Sequence, residues 1–280
     1  MEFTFAQVAA GSAVVAGGLL AAWWRSLKAS NDRDWRADVR RLATAEVRGD
    51  RVTVRTVRGF TYRGVDDFDE HWEERTYDLA ALDGLDAFFI DWGAPLINHT
   101  ILSWSFADGQ RLAISVEVRK RQGQKYAAWK ALFRTYELIY VAADENDVIK
   151  LRTNFRQEQV YLYRVRSSRT AARALLLEYL EAMNAIARQP LWYNALVSNC
   201  TTVIRQRVLH AGGRLPLSWR LFANAYLPEL LYRRGLLDAS QPFEALKALS
   251  HINRRALEVG EGEDFSARIR AGLPMPELRR

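Results

Sequence analysis

Between residues 99 and 119 apolar and polar side chains alternate with a period of two. HTILSWSF and RLAISVEVR flank an Asp-Gly turn, the pattern of a β-hairpin. Leu102, Trp104 and Phe106 share one face of the first arm, and Leu112, Ile114, Val116 and Val118 share one face of the second. For both sets to face one core, even positions must pair with even positions, so the register is set. The opposite face then carries His99, Ser103, Ser115, Glu117 and Arg119. From 170 to 188 the period changes: Leu175, Leu176, Tyr179, Leu180, Met183 and Ile186 recur at helical spacing, and Pro190 ends the run. The loop LWYNALVSN leads into a second helix over 200–210, with Val203, Ile204 and Val208 inward and Gly212-Gly213 as its stop.

Elsewhere RVTVRTV, DAFFIDWG, ELIYVAA and VYLYRVR read as strands, AAWKALF as a short helix, and ENDVIKLRTN as a turn plus strand. DDFDEHWEERTYD reads as a charged, solvated loop. Beyond Gly213 the chain is mainly helical, with breaks at Pro216, Pro228, Pro242 and Pro274. No internal repeat or low-complexity linker divides it. The expected fold class is α+β, an antiparallel sheet packed on helices, as one body over 30–280 behind an N-terminal segment over 1–29.

Residues 8–24 of that segment are uncharged and apolar, near the lower length limit for crossing a bilayer, with Trp23 and Trp24 at the edge. A membrane anchor is the expectation. A signal peptide is the rival, although Glu2 and the lack of a basic residue before the run are atypical of one. Arg25, Lys28 and Arg33 follow the run and by the charge rule favour a cytoplasmic body.

Lysine plus arginine number 40 against 33 acidic residues, a net charge of +7, which favours anionic partners. The basic residues are dispersed, so nucleic acid is not indicated, and phospholipid headgroups explain the excess more simply. One cysteine and four histidines show no metal-ligand spacing, so no metal or other cofactor is expected.

Cys200 is that one cysteine, and it opens the 200–210 helix. A helix N-terminus favours thiolate over thiol and offers N–H groups to an oxyanion; a buried core cysteine is the plainer reading. A nucleophile needs a base. His71 lies in the charged run and His251 in a late polar helix, while His210 sits at the far end of the same helix as Cys200, about 15 Å away at 1.5 Å per residue. His99 remains. Its cross-strand partner is Glu117 or Arg119, with the other lying diagonally, and a carboxylate there would orient the imidazole. Arg119 would either meet a substrate phosphate or neutralise Glu117. Asn199 and Tyr193 are candidate second donors to an oxyanion, and Asn199 is equally a helix cap.

The order, histidine on a strand and then cysteine on a helix about a hundred residues later, resembles a circularly permuted papain-like fold of the NlpC and lecithin:retinol acyltransferase type. The strings SNDRDW, YDL, WGAP, HTILSWSF, LAISVEVRK, FRTYELIYVAADENDVIKLRTNFR, VYLYRV, YNALVSNCTTVIR and LPLSWRLFANAYLPELLY together are similar to the Lnb N-terminal periplasmic domain family across most of 30–240. That resemblance implies a periplasmic body held at the bacterial inner membrane. It implies phospholipid and lipoprotein substrates, with an acyl chain passed through a thioester on Cys200 and His99 as base. The namesake also carries a membrane-embedded part after this domain, which the sequence to Arg280 lacks, leaving room for a membrane-protein partner. The alternatives are an NlpC-type amidase or peptidase, for which a polar open groove is expected, and a non-catalytic envelope binding module. An acyltransferase would instead show an apolar channel opening toward the membrane.

Overall fold

The computed structural model describes residues 5–195, 199–260 and 262–274, with side chains from residue 14 onward. Glu2 and the loop residues 196–198 therefore lie outside it. The described chain opens with helix α1 (Phe5–Ser26), followed by strands β1 (Thr44–Arg48), β2 (Arg51–Arg58), β3 (Thr61–Tyr62), β4 (Phe68–Asp69) and β5 (Trp72–Asp78). Next come β6 (Leu82–Asp91), β7 (His99–Phe106), β8 (Arg111–Arg119), β9 (Glu137–Ala143), α2 (Glu145–Lys150) and β10 (Gln159–Arg164). Helices α3 (Arg169–Arg188), α4 (Cys200–His210), α5 (Leu227–Arg233), α6 (Phe243–Ser250), α7 (Asn253–Leu257) and α8 (Phe265–Ile269) complete it.

The main sheet runs β1-β2-β9-β8-β7-β6-β10, with β5 paired to β2. Every pairing is antiparallel except the single parallel bridge Arg58↔Ala143 between β2 and β9. The β7–β8 hairpin has the register that alternation required: Leu102 pairs with Ile114 and Trp104 with Leu112. Their apolar face packs on α3, α4, α5 and α6 through Leu176, Leu180, Val203, Leu230 and Leu246.

The other sheet face is covered as well: Ile101, Ala113, Ile139 and Val141 form a second core with Val148 and Ile149 of α2, Ile252 at the start of α7 and Ala256 within it, and Phe265 and Ile269 of α8. ENDVIKLRTN, read as turn plus strand, is helical, forming α2 and then a π-helical turn over Leu151–Phe155. Acidic residues in the first turn and Lys150 in the last suit the helix dipole, and Asp144 precedes them. The spacing-two run Ile149, Leu151 obscured that signal. WEERTYD, read as part of a solvated loop, is strand β5, paired along β2, with Tyr77 fully buried, Glu74 and Asp78 exposed, and Arg75 half-buried against Asp144 at 2.7 Å.

The apolar run at the N-terminus forms α1, with Val14, Val15, Leu19, Leu20 and Trp23 exposed. Among the described residues no helix is long and apolar enough to cross a membrane. Alanine and glycine make up much of the run, and such small side chains add little transfer free energy per residue.

Covering the second face forces charges into the interior. Arg270 of the last turn donates to Asp86 at 2.8 Å and to both oxygens of Glu145 at 2.6 Å, and Ser103 donates to Glu145 at 2.5 Å. All four residues are buried. Asp86 keeps a second cation, Arg164 at 2.8 Å, but removing Arg270 would leave the buried Glu145 without one, so Arg270→Met is expected to lower the unfolding free energy by about 3–5 kcal/mol, read by urea denaturation. A loss under roughly 1 kcal/mol would mean that water already solvates the cluster.

Candidate functional site

His99 is the first residue of β7, and Ile101 pairs with Ser115 on β8, so continuing the register sets His99 opposite Glu117 rather than Arg119. The imidazole does not bond the carboxylate directly. His99 Nε2 lies 2.8 Å from Ser115 Oγ and 3.7 Å from Glu117, and Ser115 Oγ donates to Glu117 at 2.9 Å. Since the serine proton goes to the carboxylate, its oxygen accepts from Nε2–H, which leaves Nδ1 as the basic nitrogen. Arg152, carried by the π-helical turn, donates to Glu117 at 3.1 Å and to Glu158 at 2.9 Å.

These contacts set the electrostatics. Burial works against the Glu117 carboxylate, but the Arg152 guanidinium outweighs it and holds Glu117 well below the usual range. Burial, reinforced by Arg152, pushes His99 down to about 3 against the opposing pull of Glu117. The resting imidazole is neutral.

Cys200 begins α4 because Asn199 caps it. Asn199 Oδ1 accepts from the N–H groups of Thr201 at 2.9 Å and Thr202 at 2.8 Å, and Thr202 Oγ1 accepts from Asn199 N–H at 3.0 Å, a reciprocal capping box. Its Nδ2 donates to the Ala195 carbonyl at 2.6 Å. Its oxygen thus serves as the helix cap, and Asn199 is not among the residues that line the cavity described below. The expected lowering of the thiol pKa by the helix terminus is also overturned: Cys200 is buried, and burial pushes the thiol up despite a backbone hydrogen bond from Thr100 and one from the Thr201 hydroxyl. Thiol and imidazole both rest uncharged.

His99, Glu117, Tyr193 and Cys200 line one cavity of about 240 Å³ together with Arg152 and Tyr126. Arg119 is not among them. Its guanidinium donates to the carbonyls of Val39 at 2.9 Å and Arg40 at 2.7 Å and to Asn31 Oδ1 at 3.1 Å, and it stacks 4.2 Å over Trp35. Burial lowers it to about 10. The sheet face that it shares with Glu117 is covered there by residues 31–40, so Arg119 fastens that segment instead of meeting substrate or Glu117.

Asn224 was not visible as a site residue in the sequence. Its side-chain amide pairs with the backbone of Asn98, accepting from the N–H at 2.6 Å and donating to the carbonyl at 2.6 Å, and it also donates to Thr201 Oγ1 at 2.6 Å. It thereby ties the residue before His99 to the residue after Cys200. Ala225 N–H holds the Leu96 carbonyl at 3.1 Å, where Leu96 has a positive φ of 66°. Ser115 and Arg152 were likewise undervalued: Ser115 had been placed on the correct face without a role, and Arg152 had been assigned to a strand. Among the described residues no group of three or more His, Cys, Asp or Glu side chains is placed to hold a metal ion.

Two outcomes follow from this geometry. The alkylation rate of Cys200 by iodoacetamide should keep rising with pH through 9, because burial holds the thiol protonated; a plateau below pH 7 would reveal an ion pair with His99 instead. Asn224→Ala should cost roughly 2–4 kcal/mol in urea unfolding, since it strands the Asn98 N–H and carbonyl, and should speed that alkylation by loosening the site.

No curated protein and no solved structure matches the chain. The family model described as the Lnb N-terminal periplasmic domain matches residues 68–225, more than half of the chain and inclusive of His99, Ser115, Glu117, Arg152, Cys200 and Asn224. The chain belongs to the Lnb N-terminal periplasmic domain family.

Proposed function

We propose that this protein is a periplasmic thiol acyltransferase that works at a membrane surface and carries an acyl chain on Cys200. The supporting observation is the character of the cavity mouth. The pocket that holds Cys200 and the His99–Ser115–Glu117 relay is rimmed by Trp92, Ile97 and Tyr126, all exposed apolar side chains. An exposed apolar rim suits an acyl chain. Nearby, Trp24 at the end of α1 packs edge-on against the exposed Phe133, and Arg134 donates to the Trp24 carbonyl at 2.6 Å. The exposed apolar helix α1 and the loop bearing Trp129, Leu132 and Phe133 thus form one apolar surface, which supports attachment of the body to the inner membrane.

The order of strand histidine and helix cysteine supports a permuted papain-like arrangement. Because both groups rest neutral, deprotonation accompanies attack. His99 Nδ1 takes the thiol proton as Cys200 Sγ adds to an ester carbonyl. The oxyanion rests on the Cys200 N–H, since the cap takes those of Thr201 and Thr202. The ester C–O bond then breaks, the leaving alkoxide takes the proton from His99, and a thioester remains on Cys200. An amine, for which the family resemblance suggests a lipoprotein N-terminus, attacks that thioester, its proton passing to the departing thiolate as the amide forms. Tyr193 lines the same cavity, where burial and the nearby Cys200 raise its phenol well above its usual range, so it is a donor and not a base.

One observation favours the second reading, a hydrolase of cell-wall peptides: the cavity floor is charged, with Lys120, Arg156, Glu158 and Asp38 in its lining. Intact-protein mass spectrometry of detergent-purified wild type, His99→Ala and Cys200→Ser separates the two. The expected result is a hydroxylamine-labile fatty-acyl mass on wild type, none on His99→Ala, and a more resistant ester on Cys200→Ser. No adduct on any variant, with phospholipid and a diacylated lipopeptide both supplied, together with amide cleavage of a muropeptide, would replace the transferase with the hydrolase.

A further inference from the structure

We infer that Lys120 and Arg156 form a subsite inside the Cys200 cavity for the phosphate group of an anionic amphiphile. This deepens the acyltransferase reading and rests on it for the amphiphile. Both side chains line the cavity, Lys120 just past the end of β8 and Arg156 just past the π-helical turn. Their situation differs from that of every other charge in the lining.

The three acids there are already engaged. Glu117 is held by Ser115 and Arg152, Glu158 by Arg152, and Asp38 by Arg36 at 3.2 Å. Lys120 has no side-chain hydrogen bond or ion pair among the described residues, and Arg156 has a single ion contact, 3.9 Å from Glu158. A half-buried cation with so few partners costs stability. Two of them facing one cavity repel each other as well: burial lowers Lys120, with Arg36 and Arg156 adding to the effect against the pull of Asp38 and Glu117, and burial and Arg152 lower Arg156 against the pull of Glu158, Glu117 and Asp38. With Arg152 already shared between two glutamates, the pair supplies the uncommitted positive charge of the pocket. A phosphate offers several acceptor oxygens and the opposite charge, and so relieves both costs together.

The cavity shape selects the kind of phosphate. At about 240 Å³ it accepts a headgroup but not the chains of a lipid, which must leave past Trp92, Ile97 and Tyr126. An apolar exit favours a phosphate that carries a hydrocarbon chain over the free ion.

The test is isothermal titration of the full chain in an uncharged alkyl-maltoside detergent, on a Cys200→Ala background in which no acyl transfer can occur. The probes are dodecyl phosphate, inorganic phosphate and uncharged monolauroylglycerol. Dodecyl phosphate is expected to bind, with about tenfold loss in Lys120→Met and in Arg156→Met, retention in Lys120→Arg, and no change in monolauroylglycerol binding. Neither methionine variant should lower the melting temperature, because Lys120 makes no ion pair and Arg156 only one, at 3.9 Å. Undiminished dodecyl phosphate binding in both variants, or equal losses for monolauroylglycerol, would overturn the subsite. Inorganic phosphate binding as tightly as dodecyl phosphate would overturn the amphiphile. Since Cys200→Ala is chemically inert, failure of the acyl-adduct experiment would remove the transferase reading without touching this result, and the reverse holds equally.

Discussion

Burial of the second face of the central sheet is the constraint on which the rest depends. Strands β6 to β9 place polar side chains there, and α2, α7, α8 and the turn over Leu151–Phe155 cover them. A polar group taken out of water must be paired, and a charge must be paired and hydrogen-bonded. The face is accordingly tiled with closed sets: Ser103 with Glu145, Arg270 and Asp86; Arg58 with Asp147; Ser115 and His99 with Glu117, Arg152 and Glu158. The relay on His99 is one tile of this pattern. Its orientation follows from the same physics that stabilises the fold, and it differs from the others in opening onto a cavity.

On the opposite face the chemistry is set by an ordinary apolar core. Cys200, Val203 and Ile204 anchor the first turns of α4 among residues of α3 and the sheet. The thiol is therefore buried, and the helix terminus does not overcome the cost of charging it there. The thiol and the imidazole of His99 therefore line the same cavity as uncharged groups. Asn224 holds the two halves in register. It acts as a short strand edge for Asn98 while reaching Thr201, so the strand end and the helix start separate only if its bond to Thr201 or both of its bonds to Asn98 break.

Unequal coverage along one strand explains why neighbouring residues of β8 have such different roles. Glu117 lies under Arg152 and beside the cavity, whereas Arg119, two residues on and on the same face, lies under Trp35 and the carbonyls of Val39 and Arg40. Lys120 returns to the cavity without a partner. Four consecutive residues thus hold a carboxylate bonded to Ser115, a structural clamp and a half-buried cation at the cavity.

The hairpin register, the helix over residues 170–188 and the helix opened by Cys200 were all legible in the chain. Each rests on periodicity, capping or counting within a short span. His99, Glu117, Tyr193 and Cys200 were singled out from those signals, and the structure gathers them around one cavity. The cover of each sheet face was not legible. Period-two alternation says which side chains share a face, yet not which distant segment buries it, so it offers Arg119 a phosphate or Glu117 as partner and Ser115 no role. Helix termini predict a low thiol pKa only where water remains, and burial depends on the packing of α3 and the sheet, which no local pattern around Cys200 records. The sequence by itself determined local geometry and the inventory of reactive groups. The tertiary structure decided which of those groups are dry, paired and adjacent, because desolvation and hydrogen bonding are properties of contacts between segments far apart in the chain.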